Sequence, residues 1–171
     1  METQEAVILI GHGAAASDTP RPLVEELKKL EMRRRAQKIL QMSPREAELD
    51  KQVRQWPRTH KTDPYKYGLE KILETLQKKL SDKHVVLAFN EFCAPSVEEI
   101  IAQLVNQGFK QITLISTMFT RGGIHAEVEI PEIVVLARKQ HPNIRFEYIW
   151  PFDLSLVADF LTQHIQKIRV S

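Results

Sequence analysis

Ala6-Val-Ile-Leu-Ile10, running straight into Gly11-His12-Gly13, is the stretch that decides the fold. Its five residues are apolar throughout instead of alternating with polar ones, as a strand covered on both faces requires. Two further runs have the same character, His84-Val-Val-Leu-Ala-Phe89 and Gln111-Ile-Thr-Leu-Ile115, and Ile144-Arg-Phe-Glu-Tyr-Ile-Trp150 reads as a fourth strand. Helical stripes lie between and after them. Leu69, Ile72, Leu73, Leu76 and Leu80 follow the cap Asp63-Pro64. Val97, Ile100, Ile101, Leu104 and Val105 follow the capping box Ser96-Val-Glu-Glu99 and stop at Gly108. Ile133, Val134 and Ala137 follow Pro131, and Val157, Phe160, Leu161, Ile165 and Ile168 make the last stripe. Alternating strand and helix predicts right-handed crossovers and an α/β protein, three layers around a buried parallel sheet of four strands.

The 171 residues suit one domain, expected to span 1–171. With 43% hydrophobic and 27% charged residues, the composition excludes a disordered or collagen-like chain. No apolar run approaches the roughly 20 residues that cross a bilayer, so no membrane partner is expected. The start, Met-Glu-Thr-Gln-Glu, has no basic region before an apolar one, which predicts a cytoplasmic protein. One cysteine, Cys93, makes neither an internal disulfide nor a thiolate metal site, and it reads as a small buried filler. The methionines and phenylalanines are assigned to the core, and His60, His84, His141 and His164 to surface or structural roles.

A net charge of +2 gives no argument for nucleic acid, but it is unevenly spread. Arg21 to Lys61 carry twelve Lys/Arg against six Asp/Glu, or +6, leaving −4 elsewhere. Residues 20 to 62 exceed what the strand–helix plan needs. They read as a long helix containing Arg33-Arg34-Arg35, a short helix opened by Ser43-Pro-Arg-Glu46 and ending near Trp56, and a polar loop through Lys61. The basic helical insertion, about 31–62, is either a solvated face or a docking surface for an anion.

Ligands of open parallel sheets bind outside the carboxyl ends of the strands. Those ends carry Gly11-His12-Gly13, Asn90-Glu91, Thr117-Met-Phe-Thr-Arg-Gly-Gly-Ile-His125 and Trp150-Pro151-Phe152, so two histidines and a carboxylate converge on one edge. Flanking glycines leave the His12 imidazole uncrowded, although the same triplet also makes a plain tight turn. Arg121-Gly122-Gly123 is a turn or an anion cradle. His125 and Glu129, four apart, share a helical face, where the carboxylate orients the imidazole or acts as a base. Glu127, Glu129 and Glu132 also make an ordinary acidic helix start.

Val7-Ile-Leu-Ile-Gly-His-Gly13, Ala88-Phe-Asn-Glu-Phe-Cys-Ala-Pro-Ser96 and Gly122-Gly-Ile-His-Ala-Glu-Val-Glu-Ile-Pro131 together resemble the signature blocks of the sirohydrochlorin chelatases, the class II tetrapyrrole chelatases. The resemblance covers residues 6–16 and about 64–168. It implies a flavodoxin-like half-chelatase fold and ATP-independent insertion of Co²⁺, Fe²⁺ or Ni²⁺ into sirohydrochlorin, in cobalamin- or sirohaem-type biosynthesis, with no organic cofactor. It places His12 and His125 as metal ligands, Glu91 and Glu129 as their catalytic carboxylates, and Arg121, Gly122, Gly123 and Ser17 on the substrate. Imidazole suits first-row divalent metals, and a nearby His or Glu can take the pyrrole protons. An octacarboxylate substrate would give the basic segment and Arg121 a purpose. The chain supplies one half of a two-lobed chelatase, which implies a homodimer. Ala14-Ala15-Ala16 stands where short members carry Ser-Arg. Two other readings compete: a non-catalytic module of the same fold that delivers metal or tetrapyrrole, and a phosphoryl-transfer enzyme using His12 as nucleophile.

Overall fold

The computed structural model describes residues 5–169. Four strands, β1 (Glu5–Gly11), β2 (His84–Phe89), β3 (Gln111–Ser116) and β4 (Arg145–Tyr148), form one sheet in the order β2-β1-β3-β4, parallel throughout. β1 is central: Ile8 pairs with Val86 on one side and Leu114 on the other. Strand β4 is shorter than the 144–150 expected, since only Arg145–Tyr148 pair, with Gln111 to Leu114 of β3.

Three crossover helices take the predicted places. Helix α3 (Pro64–Lys79) is capped by Asp63, whose carboxylate accepts the Lys66 N–H at 2.9 Å. Helix α4 (Val97–Asn106) carries the full reciprocal box of Ser96 and Glu99. Helix α5 (Ile130–Gln140) is entered through a π-helical turn, His125–Glu129. Apolar side chains of α4 and α5 pack with Ile8, Ile10, Ile112, Leu114 and Phe146 on one sheet face. Leu69, Leu73 and Leu76 of α3 pack with Leu9, Leu87 and Phe89 on the other. This is the three-layer α/β arrangement the apolar strands require.

Helices α1 (Arg21–Ala36) and α2 (Pro44–Arg54) form the insertion after β1, with Ser43 capping α2 through the Glu46 N–H. Their buried apolar side chains form a cluster separate from those on the two sheet faces. Leu27, Leu49 and Val53 bury against Phe92, in the loop after β2, so the pair sits at the sheet's carboxyl edge. The basic excess is also not all on the surface. The Arg34 guanidinium pairs with the buried Glu46 carboxylate at 2.7 Å, and Arg58 pairs with buried Asp63.

Helix α6 (Leu154–Arg169) forms where its stripe predicts, but most of the stripe is exposed: Phe160, Leu161, Ile165 and Ile168, with Val157 half-buried and Leu154 and Leu156 exposed before it. The Phe160 ring lies 6.4 Å from that of Phe119 and stacks at 6.4 Å on His164 of its own helix. The assignment of all methionines and phenylalanines to the core is corrected accordingly. Met32, Met42, Phe119 and Phe160 are exposed, while Met1 lies outside the described residues. Long apolar side chains count as core only if an element covers them, and these four stay exposed. Cys93 is fully buried, as expected.

Candidate metal site at the strand ends

β1 ends in Gly11-His12-Gly13, and its chain turns away alongside the loop after β2. The backbone N–H groups of Asn90 and Glu91 donate to the carbonyls of Gly11 and His12, both at 2.9 Å. Gly13 adopts φ +93°, and a Cβ there would stand 1.8 Å from the Glu91 carbonyl oxygen, so only glycine permits the two loops to touch. The His12 N–H donates to the Tyr65 hydroxyl of α3 at 2.8 Å.

Arginines from the insertion fasten the second loop. Arg54 donates to the carbonyls of Asn90 and Cys93, both at 2.9 Å. Arg58 donates to the Ala14 carbonyl at 2.8 Å and to that of Phe92. Strand-end carbonyls need donors once they leave the ladder, and a guanidinium offers five in one plane.

Three side chains converge inside this frame. His12 Nε2 lies 3.3 Å from Glu91 Oε1, and His125 Nε2 lies 3.6 Å from the same oxygen. The two imidazoles meet edge to face, ring centres 4.5 Å apart. All three ligand atoms fall within 4.8 Å of one another. Each imidazole has its other nitrogen engaged. His12 Nδ1 lies 2.7 Å from the Gly13 carbonyl and His125 Nδ1 lies 2.6 Å from Glu129 Oε2. Asn90 Nδ2 also lies 2.9 Å from His125 Nδ1. Both Nδ1 atoms thus have partners, and each Nε2 is turned toward Glu91.

Three candidate ligand atoms therefore converge. Two donors about 2.1 Å from a tetrahedral ion stand about 3.4 Å apart, close to the distance of each imidazole Nε2 from Glu91 Oε1. Imidazole with carboxylate is a donor set for first-row divalent metals. The site is open on the His12 side, whose side chain is 42% exposed, against 14% for Glu91 and 15% for His125.

The surrounding charges tune these groups. Burial raises the Glu91 pKa, against the pull of both histidines. The hydrogen bond to Glu129 raises that of His125, with desolvation opposing. Burial works against ionisation of Glu129 too, but hydrogen bonds from His125 and Asn90 and the charge of Arg35 outweigh it and bring its pKa down to about 2. Glu129 is thus a fixed anion behind His125, an arrangement typical of the outer shell of a metal site.

The structure brings together His12, Glu91, His125 and Glu129. Ser17 and Arg121 make other contacts. Ser17 is exposed, its N–H on the Thr62 carbonyl at 2.8 Å. Arg121 lies over the Trp150 ring at 5.8 Å, and Gly122 and Gly123 are exposed beside it. Sequence reasoning gave no role to Asn90, which donates to Glu129 Oε2 at 2.7 Å, nor to Tyr65, Arg54 or Arg58. Asn90 was within reach of the strand-end rule, being next to Glu91. It equally missed Arg35, whose Nη2 reaches Glu129 Oε1 and Glu31 Oε1.

With this geometry in view, the comparisons with known proteins agree on the fold. The CbiX family profile matches residues 59–168, well over half of the chain, and the protein belongs to the CbiX family. Among curated proteins none matches. A CbiX protein from Marinobacter aquaeolei VT8 is similar in structure, with 15% identity, a TM-score of 0.55, and 98% of this chain and 99% of that one covered. The sirohydrochlorin chelatase SirB from Bacillus subtilis subspecies spizizenii, in complex with cobalt, is 19% identical at a TM-score of 0.50. That match covers 85% of this chain but 42% of SirB, so the chain spans less than half of that relative's length.

Proposed function

We propose that this protein is a metallochelatase of the sirohydrochlorin type, inserting Co²⁺, Fe²⁺ or Ni²⁺ into sirohydrochlorin or a related tetrapyrrole without ATP, in the cytoplasm. The observation that carries the reading is the convergence of His12 Nε2, His125 Nε2 and Glu91 Oε1, with both Nδ1 atoms engaged elsewhere. Membership in the CbiX family supports it. Three protein ligands hold a divalent ion without enclosing it, so the ion can pass on to a macrocycle bound over the open side. Metal entry expels two pyrrole protons, and Glu91, whose burial favours the protonated form, is suited to accept one.

On the substrate side we place Arg121, Gly122, Gly123 and Ser17, all exposed. The whole chain acts as one domain in this reading, with α1 and α2 as a cap on its site edge.

We further infer a homodimer, joined through α6. Leu154, Leu161 and Ile168 repeat every seven residues on its exposed face, as in a coiled-coil seam. The expected outcome is a dimer by analytical ultracentrifugation that Leu161→Glu converts to monomer; a monomeric wild type would refute it.

The test of activity is absorbance of sirohydrochlorin with each metal. The account expects rates above the spontaneous reaction, abolished in His12→Ala and His125→Ala. Rates equal to the uncatalysed ones refute catalysis, and stoichiometric binding without turnover would mark a delivery module instead.

A further inference from the structure

Helix α1 reaches the metal-facing residues from outside the segment that matches the CbiX profile. Its Arg35 spans two carboxylates with one nitrogen, contacting Glu31 Oε1 on its own helix and Glu129 Oε1 across the site. The other oxygen of Glu129 accepts from His125 Nδ1 at 2.6 Å and from Asn90 at 2.7 Å. Glu129 is thus divided: one oxygen faces the insertion, the other faces the imidazole. A carboxylate held at one end only can turn about its last torsion, which is broad and twofold. Held at both ends, it has one orientation.

Arg35 is itself held in place. Glu31 lies one turn before it. Leu27 of the same helix is buried against α2 and the Phe92 loop, and neighbouring Arg34 is anchored to buried Glu46. The guanidinium is thus carried by a packed helix.

We propose that Arg35 is a positioning residue for the metal site: it fixes Glu129, whose other oxygen meets His125 Nδ1, and so holds the imidazole with its Nε2 toward the metal. The inference rests on the metal reading above, but its effect on the imidazole does not require an ion. Outer-shell partners of metal ligands typically alter metal affinity about 10- to 100-fold when removed. Only one nitrogen of Arg35 makes both contacts, so a lysine ammonium suffices where a forked contact would not tolerate it.

The experiment uses the full chain as wild type, Arg35→Gln and Arg35→Lys. Nitrogen-15 NMR of the neutral His125 ring should show one protonated and one bare nitrogen in the wild type and in Arg35→Lys, with the two signals drawing together in Arg35→Gln. Co²⁺ titrations followed by d–d absorption should show affinity about tenfold weaker in Arg35→Gln and largely kept in Arg35→Lys. Arg35 is partly exposed, so all three proteins should melt alike. Unchanged His125 signals in Arg35→Gln, or equal losses in the Gln and Lys variants, would overturn the proposal. If the wild type binds no Co²⁺, the metal reading fails while the NMR comparison still decides the role of Arg35.

Discussion

Two loops at the same sheet edge are built in opposite ways. The loop after β2, pressed against Gly11-His12-Gly13, is tied by backbone bonds and by Arg54 and Arg58, and Phe92 and Cys93 within it are buried. The loop after β3 leaves residues 119–124 exposed, and a Cβ added at Gly122 or Gly123 would meet nothing within 4 Å. The first loop carries Glu91 and backs His12; the second leads to His125 through the π-helical turn. The contrast suits the proposed function: candidate metal ligands on a tied loop, beside an exposed one for the proposed tetrapyrrole.

The largest effects should come from breaking the tied loop. Arg58→Ala leaves the buried Asp63 carboxylate without its partner and frees the Phe92 carbonyl, which should cost about 3–5 kcal/mol in denaturant unfolding. Gly13→Ala should cost at least about 1–2 kcal/mol from its positive φ alone and should displace Glu91 by overlap, removing Co²⁺ binding. Cys93 reports on both. Burial pushes its thiol pKa up to about 11, so the native wild type should resist thiol reagents at neutral pH while these variants label rapidly. Rapid labelling of the wild type would mean the loop is not locked.

A second, intermediate effect concerns pH. The His125 pKa stands above its ordinary value of 6.5 because Glu129 stabilises the charged ring. Metal must displace that proton, so Co²⁺ affinity should begin to fall with decreasing pH already above 6.5. Replacing Glu129 with Gln removes the stabilising anion, and the fall should move to lower pH. A shift to higher pH would contradict the assigned contact.

The smallest effects belong to the open loop. Gly123→Ala should change stability by no more than about 0.5 kcal/mol. Arg121→Ala should leave Co²⁺ affinity untouched and raise KM for the tetrapyrrole, a split that initial-rate kinetics will show.

Much of this layout was legible in the sequence for reasons that differ by region. Fully apolar strands, the Asp63 and Ser96 caps and the strand-end rule placed the sheet, α3 to α5 and the four residues His12, Glu91, His125 and Glu129, because each rests on a local pattern. The direction of the basic charge was not legible. Arg54 and Arg58 satisfy carbonyls 39 and 34 residues away, and such partners leave no periodic trace. Arg33-Arg34-Arg35 reads as one basic run, yet Arg34 turns to Glu46 and Arg35 to Glu129. The exposure of α6 was illegible for the converse reason, since an apolar stripe shows that a face needs cover without saying whether its own chain supplies it.

The account stands most directly on a crystal of the protein soaked with Co²⁺ and measured at the cobalt absorption edge. It predicts one anomalous peak between the imidazoles, about 2.1 Å from Nε2 of both His12 and His125 and in reach of Glu91, lost in His125→Ala. Cobalt bound elsewhere, with these three side chains unmoved and empty between them, would contradict it.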